Sequence, residues 1–533
     1  MMRTHEDPGV EDWVAANMKP GSKVGIDGMT VSINGMKRFR YALAAAQANS
    51  SISVEPLPKD VPNLVDQIWA SARPAAPASK IVVHPVEYAG VSAKDKLINV
   101  RTTMQQKGAS MLIVSALDEV AWLLNLRGGD VNYNPVFWAY VTITASSATL
   151  YVNNTRFGEG VDEQLKESDV TVSSYDSLLP DLSQACWDDT SRVWMDPNNC
   201  NYAILDCIQK CAQGVQLIKK QGPIALAKAK KCGVELTGVR SSHIRDGVAL
   251  SKFLCWLENE VANLGHEPTE INASDKLDGL RSEQDLFVSL SFPTISSAGA
   301  NGAVVHYRAE AATAAKITKN DVYLVDSGGQ FRDGTTDVTR TMHFGVPTPW
   351  QKECFTRVLQ GHIAIDRAIF PKGTTGHVLD AFAREPLWKV GMDYKHGTGH
   401  GVGSHLNVHE GPHVLSFKSQ ALGTALEPGF LTSNEPGYYE EGGFGIRIEN
   451  VCIVREADVK GPPGGSEKPF YGMERVTMTP IQKKMIDVGL LNEKERSWVD
   501  EYHKECFEKL EPLLKDDAET LAWLKKETTP LVS

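Results

Sequence analysis

The chain has 533 residues, with 55 lysines and arginines against 66 aspartates and glutamates, and a formal net charge of −11. Such an acidic balance argues against a polyanion-binding protein, and 42% hydrophobic with 23% charged residues excludes disorder as the main state. At roughly 100–200 residues per domain, this length predicts two to four domains.

The nine cysteines are odd in number and include no C-x-x-C pair, a usage that belongs to a reducing compartment and not to a disulfide framework. The opening Met1-Met2-Arg3-Thr4-His5-Glu6-Asp7-Pro8 lacks the apolar stretch of a secretory signal, so a cytoplasmic location is expected. The longest charge-free stretch, Val136 to Asn153, is rich in threonine and serine and alternates as strands do, which predicts sheet and not a membrane span.

In chain order, residues 11–70 read as a small α/β piece: a helix opening at Asp12-Trp13-Val14, a strand over 22–27 and a helix from Met36 to Ala48. So few elements cannot bury their own apolar face, which must find a partner elsewhere. Prolines at 74 and 77 mark a linker near 72–80. Beyond it, a helix over 91–107, a strand over 109–114, a helix over 117–126, a strand pair over 136–152 and a helix through Leu205 and Cys211 predict an alternating α/β domain. The lysines at 219, 220, 228, 230 and 231 are expected on a solvated connector, ahead of a strong helix over 241–264. Strands and glycine-rich turns then dominate to about 480, followed by two closing helices within 482–528.

The chemistry lies in that last segment. An apolar strand over 321–326 and a β-branched strand over 335–342 read as a hairpin that sets Asp326 and Asp337 side by side, where two carboxylates need a cation or a shared proton. Five of the fourteen histidines fall between 396 and 413, interleaved with glycines. A phosphate loop would require a strand before it and a helix after it, so the glycines are read as letting backbone pass a metal centre while imidazoles project into it. Glu435 sits at the end of a strand broken by Pro436-Gly437, and 444–451 reads as one strand with Arg447 and Glu449 on the same face. Four carboxylates and a neutral imidazole carry −4, which a low-dielectric site holds only with divalent cations. Two such ions offset it, the oxygen-rich shell favours a hard ion such as Mn²⁺, and hydrolysis is the expected reaction class.

The order Asp326, Asp337, His400, Glu435, Glu449 resembles that of the pita-bread dinuclear metallopeptidases. The runs at 290–297, 301–307, 334–345, 396–412 and 434–451, with Ala116 to Gly128, are most similar to the eukaryotic cytosolic Xaa-Pro aminopeptidases. The resemblance implies an α/β (α+β) chain in three parts: a partial N-terminal α/β domain over 1–78, a second creatinase-like α/β domain over 79–235 and a pita-bread catalytic domain over 236–533. It also implies a homodimer and two divalent ions, most plausibly Mn²⁺. One ion would be held by Asp326, Asp337 and Glu449, the other by Asp337, His400, Glu435 and Glu449. A metal-bridging hydroxide would hydrolyse the bond before a second-position proline. Glu435, His396 and His409 would be catalytic, with His306, His396, His409, Tyr439 and Arg447 around the substrate. His405 and His413 are left for loop or surface roles. Prolidase activity on dipeptides, or a non-catalytic binding module, are the competing readings.

Overall fold

The computed structural model describes residues 7–45, 52–58, 61–212, 214–418, 422–459 and 465–531. They divide into two compact units, one of Met1–Val83, Val91–Asp130 and Val136–Ala225, the other of His84–Gly90, Val131–Pro135 and Leu226–Ser533.

In the first unit the strands Lys23–Ile26 and Ser53–Pro56 pair in parallel, beside the helices Val10–Asn17 and Ile33–Ala45. The last residues of the helix expected to reach Ala48 lie outside the described ones. The main sheet is six-stranded and mixed, in the order Gln216–Lys219, Arg192–Met195, Met111–Val114, Tyr140–Thr144, Ala148–Tyr151, Val170–Ser173. The charge-free stretch therefore forms two of its strands. Ser92 starts the helix Ala93–Lys107 by accepting from the Asp95 amide at 3.1 Å, and Gly108 ends it at φ +63°, a left-handed turn that favours glycine. Ile33, Met36 and Val54 are buried in the same core as Ile113, Val193 and Leu205. The small opening piece thus finds its apolar partner in the sheet that follows it.

In the second unit the long helix Gly233–Glu258 begins earlier than the apolar pattern predicts, because Glu235 accepts from the Cys232 amide at 2.9 Å and caps it. Two of the antiparallel sheets that follow carry most of the site. One orders Ile295–Ala298, Val322–Ser327 and Val338–His343; the other orders Ile369–Pro371, Phe470–Arg475, Asn450–Ala457, Leu431–Asn434, Gly399–Gly401 and Glu410–Leu415. Helices Pro349–Asp366 and Gly376–Trp388 pack together where Gly361 lies so near Ala383 that a Cβ would stand 2.1 Å from its carbonyl. The closing helices, Glu493–Leu510 and Ala518–Glu527, start later than expected, at the caps Asn492 and Asp517.

Arg340, 1% exposed, ties these layers together. Its guanidinium donates to the carbonyls of Thr479 (2.7 Å) and Glu449 (2.7 Å), to Asn450 Oδ1 (2.8 Å) and to Tyr502 Oη (2.7 Å) on the first closing helix. A buried polar hub leaves several orphaned acceptors when truncated. Arg340→Met is therefore expected to destabilise the second unit by about 3 kcal/mol or more, read as a lowered denaturant midpoint; an unchanged midpoint would show that the hub contributes nothing.

Candidate active site

Asp326 is the penultimate residue of the inner strand Val322–Ser327, opposite Thr339. Asp337 lies just outside the strand Val338–His343, two residues nearer the tip, so the two aspartates meet diagonally and not directly across the hairpin as the sequence pattern predicts. The stretch 444–451 is not one strand. Phe444–Arg447 pairs with Gly437–Glu440, whereas Asn450–Ala457 pairs with Leu431–Asn434.

Both ladders nevertheless share one register, Asn434 opposite Asn450 and Gly437 opposite Arg447, which sets Glu435 opposite Glu449 where the hairpin is interrupted. Pro436 has no N–H to continue the ladder there. The Glu435 amide donates instead to the Thr398 carbonyl (2.8 Å) and the Glu449 amide to the Thr339 carbonyl (3.2 Å). Each glutamate is thereby stitched to a neighbouring strand while its side chain faces inward.

These residues line a cavity of about 190 Å³ with Asp326, Asp337, His400, Arg447, His306 and His409 on its wall. Asp326, Asp337 and Glu449 are buried, and the side chains of Glu435 and His400 are 19% and 15% exposed. His400 Nε2 stands 3.4 Å from Asp337 Oδ2 and 3.6 Å from Glu435 Oε1. Its Nδ1 donates to the Gly401 carbonyl at 2.9 Å, so Nε2 is the ring nitrogen that faces the carboxylates.

Arg447 is the cation of this wall. It donates to Asp326 Oδ2 (2.7 Å), Thr339 Oγ1 (3.1 Å) and Tyr439 Oη (2.7 Å), and Thr339 donates to Glu449 Oε2 (2.8 Å). Tyr439 Oη lies 2.9 Å from His396 Nε2, whose Nδ1 is 2.7 Å from the Gly397 carbonyl. The proton therefore sits on His396 Nδ1, and Tyr439 donates to Nε2. His396 and Tyr439 thus reach the cavity through Arg447 and are not on its wall, whereas His306 and His409 are exposed at it.

Burial raises Asp337 well above the ordinary carboxylate range, and the charges of Asp326 and Glu435 raise it further. Burial, then Asp337 and Glu435, do the same to Glu449, and burial raises Glu435 against the pull of His400 and Arg447. His409 is pushed down to about 3, first by the neighbouring His400 and then by burial; burial and Arg447 push His396 down to about 3. Both rings are neutral at physiological pH.

This donor set fits hard divalent cations. Asp326 Oδ1 is buried with no hydrogen-bond partner, and ligand atoms of Asp337, His400 and Glu449 lie within 4.8 Å of one another.

Several residues that position the site carry no motif signal. Arg384 pairs with Asp380 (2.7 Å) and donates to the His396 carbonyl (2.7 Å), while Thr398 donates to Asp380 (2.6 Å) and its carbonyl holds Glu435. Thr339 was legible only as the residue two on from Asp337 in a strand, hence on the same face.

Three expectations are corrected. Lys228 and Lys231 are not solvated: both are buried and both pair with Glu410, Lys228 at 2.6 Å. His413 is in the strand Glu410–Leu415, buried against Phe430 with Nε2 2.7 Å from the Leu431 carbonyl, and so is neither a loop nor a surface residue; His405 does lie in a loop, but buried and stacked on His84. The glycines at 399 and 401 serve strand contact, because a Cβ would stand 2.0 Å from the Ser433 carbonyl and 2.2 Å from the Glu410 carbonyl.

Carboxyls with raised folded-state pKa values stabilise fully below their unfolded pKa, about 4, and that contribution is lost as pH rises through the raised values. The metal-stripped chain is expected to lose several degrees of Tm in the second unit between pH 5 and 8, and saturating Mn²⁺ to remove the loss; a flat stripped profile would contradict it. Glu410→Gln, which removes the carboxylate that both buried lysines pair with, is expected to cost about 3 kcal/mol in denaturant unfolding; a neutral effect would mean those lysines do not need it.

Residues 72–235 match the creatinase/prolidase N-terminal domain, residues 237–456 metallopeptidase family M24, and residues 469–531 the C-terminal region of peptidase M24. A probable Xaa-Pro aminopeptidase P of Laccaria bicolor is 45% identical over 98% of this chain and 80% of its own length. Aminopeptidase P1 of Lotus japonicus is 40% identical, covering 100% of this chain and 87% of the relative. Among solved structures, the X-prolyl aminopeptidase of Caenorhabditis elegans, described as a cytosolic enzyme with a di-nuclear active site, superposes with a TM-score of 0.90 at 34% identity over 99% of this chain and 84% of that one. An Xaa-Pro dipeptidase from Bacillus anthracis shares the fold alone, at 22% identity and a TM-score of 0.58 over 73% of this chain and 99% of that one. With a family-M24 catalytic segment and such relatives along nearly its whole length, the chain belongs to metallopeptidase family M24, among the Xaa-Pro aminopeptidases P.

Proposed function

We propose that this chain is a dinuclear metallo-aminopeptidase that removes the first residue of peptides with proline in second position. The observation that carries this reading is the convergence of Asp326, Asp337, His400, Glu435 and Glu449 on one small cavity. Asp326, Asp337 and Glu449 would hold one ion and Asp337, His400, Glu435 and Glu449 the other, with Mn²⁺ as the ion such an oxygen-rich shell favours. When bound, the ions supply Lewis acidity that polarises the scissile carbonyl and lowers the pKa of water.

The chain's own residues complete the chemistry. The substrate's free amine is received at the carboxylate-lined part of the cavity, which selects an N-terminus. Glu435, on the cavity wall, accepts the attacking water's proton at a carboxylate oxygen. His409, neutral and at the wall, and His306 beside it donate N–H to the developing oxyanion and the substrate backbone. Proline's tertiary amide offers no N–H, and the apolar wall of Phe292, Ile295, Val305 and Val408 suits its ring. Glu435 hands the water's proton on to the leaving nitrogen, while His396, whose Nε2 accepts from Tyr439 and carries no proton to give, holds Tyr439 and through it Arg447 in place.

The sequence-level alternative of prolidase is less supported, because the dipeptidase likeness is one of fold only, while the high-identity relatives bear aminopeptidase names. The retained ligand set disfavours a non-catalytic module. A cytoplasmic location and a homodimer belong to the same proposal; among the described residues no helix is long and apolar enough to cross a membrane. The division at residues 78 and 235 is likewise proposed, with family matches beginning at 72 and 237 in its support.

The test is release of the first residue from an Xaa-Pro-Xaa tripeptide by chelator-stripped chain with and without Mn²⁺. Cleavage is expected only with metal, and Glu435→Ala or His400→Ala should lower kcat at least 100-fold, in line with the loss of a general base or an electrostatic group, with reduced metal content by elemental analysis. Full activity in either variant would overturn the assignment.

A further inference from the structure

The cavity wall carries a second charged feature besides its carboxylates. Arg308 lies on the wall in the same loop as His306 and is exposed, and among the described residues no carboxylate pairs with it. The other arginine of the wall, Arg447, is committed to Asp326, Thr339 and Tyr439. Arg308 is therefore the cation on this wall that remains available to a ligand.

Its loop is held at the base by one buried carboxylate. Glu270, 0% exposed, accepts from the Ala298 amide (2.7 Å), Asn301 Nδ2 (3.0 Å), Tyr307 Oη (2.8 Å) and the Ala315 amide (2.8 Å). Tyr307 stands between His306 and Arg308, so the anchor fixes the backbone on both sides of it. A pre-positioned side chain loses less entropy on binding than one on a free loop.

With the charge of the carboxylates offset by their ions, Arg308 is left as a net cation on the cavity wall. An extended peptide advances about 3.5 Å per residue, so the third residue of a substrate lies roughly 7 Å beyond the first. A carboxylate on that third residue is the substrate group that such a cation attracts. In a chain of net charge −11, a local cation also offsets the repulsion such a carboxylate meets on approach.

We propose that Arg308 is a specificity-determining residue that recognises a carboxylate on the third residue of the substrate, whether the free C-terminus of a tripeptide or an acidic side chain. The proposal rests on the aminopeptidase reading above. Exposed charge pairs are modest, so the preference amounts to about threefold to fivefold, carried mainly by KM and reduced by salt.

The test compares kcat/KM of the Mn²⁺-loaded enzyme on Ala-Pro-Ala as free acid, Ala-Pro-Ala amide and Ala-Pro-Asp amide. The wild type should favour one or both carboxylate-bearing peptides over the neutral amide, and the favoured one identifies the source of the charge. Arg308→Gln should bring the ratios near one, Arg308→Lys should keep part of the preference, and Arg308→Glu should invert it. Equal rates on all three in the wild type, or ratios unchanged in Arg308→Gln, would overturn the proposal while leaving the aminopeptidase reading intact. Failure of the wild type to cleave any of the three would overturn both.

Discussion

Four carboxylates share one small cavity, and a single guanidinium, Arg447, touches one of them. That excess of negative charge is the constraint on which the rest of the catalytic unit depends. Carboxylates gathered at low dielectric either take up protons or require cations, and the raised pKa values of Asp337, Glu435 and Glu449 record the first solution in the metal-free chain. Metal affinity and the cost of folding this site are therefore two faces of one electrostatic problem.

The fold assembles the cluster by breaking its own regularity at chosen points. A hairpin kept in register from Leu431 to Glu440 is interrupted at Glu435-Pro436, and the amides of Glu435 and Glu449 bond to other strands. Like charges facing each other across a ladder destabilise it, so the two glutamates need outside support. Thr339 and Arg340, adjacent in one strand, provide it from opposite faces: Thr339 holds the Glu449 carboxylate, and Arg340 holds its backbone carbonyl. Arg384 and Asp380 do the same for the segment bearing His396 and Thr398.

The histidines divide by their environments. His400 faces the carboxylates with Nε2, while His396 and His409 are pushed to low pKa by burial and by cationic or imidazole neighbours. A neutral ring both donates and accepts, which suits a site where the positive charge comes from metal. His405 and His413, in the same run, are buried structural groups. Histidine density alone therefore does not separate chemistry from packing; the hydrogen-bond partner of each ring does.

What the sequence determined by itself is the order of donors and the strands that carry them. Asp326, Asp337, His400, Glu435 and Glu449 sit in runs whose β-branched, glycine and proline signals are local, and local signals survive in a linear reading. The alternating α/β middle segment was legible for the same reason. What only the tertiary structure decided is where charge is compensated. Lys228 and Lys231 read as a solvated run until Glu410, some 180 residues away, is brought between them. The break in the 444–451 strand, the burial of His405 and His413, and the hubs at Arg340 and Arg384 likewise depend on partners distant in sequence. Hydrophobic periodicity fixes which face of an element is covered, but the identity of a buried ion's partner depends on which strands become neighbours, and that information exists only once the chain has closed on itself.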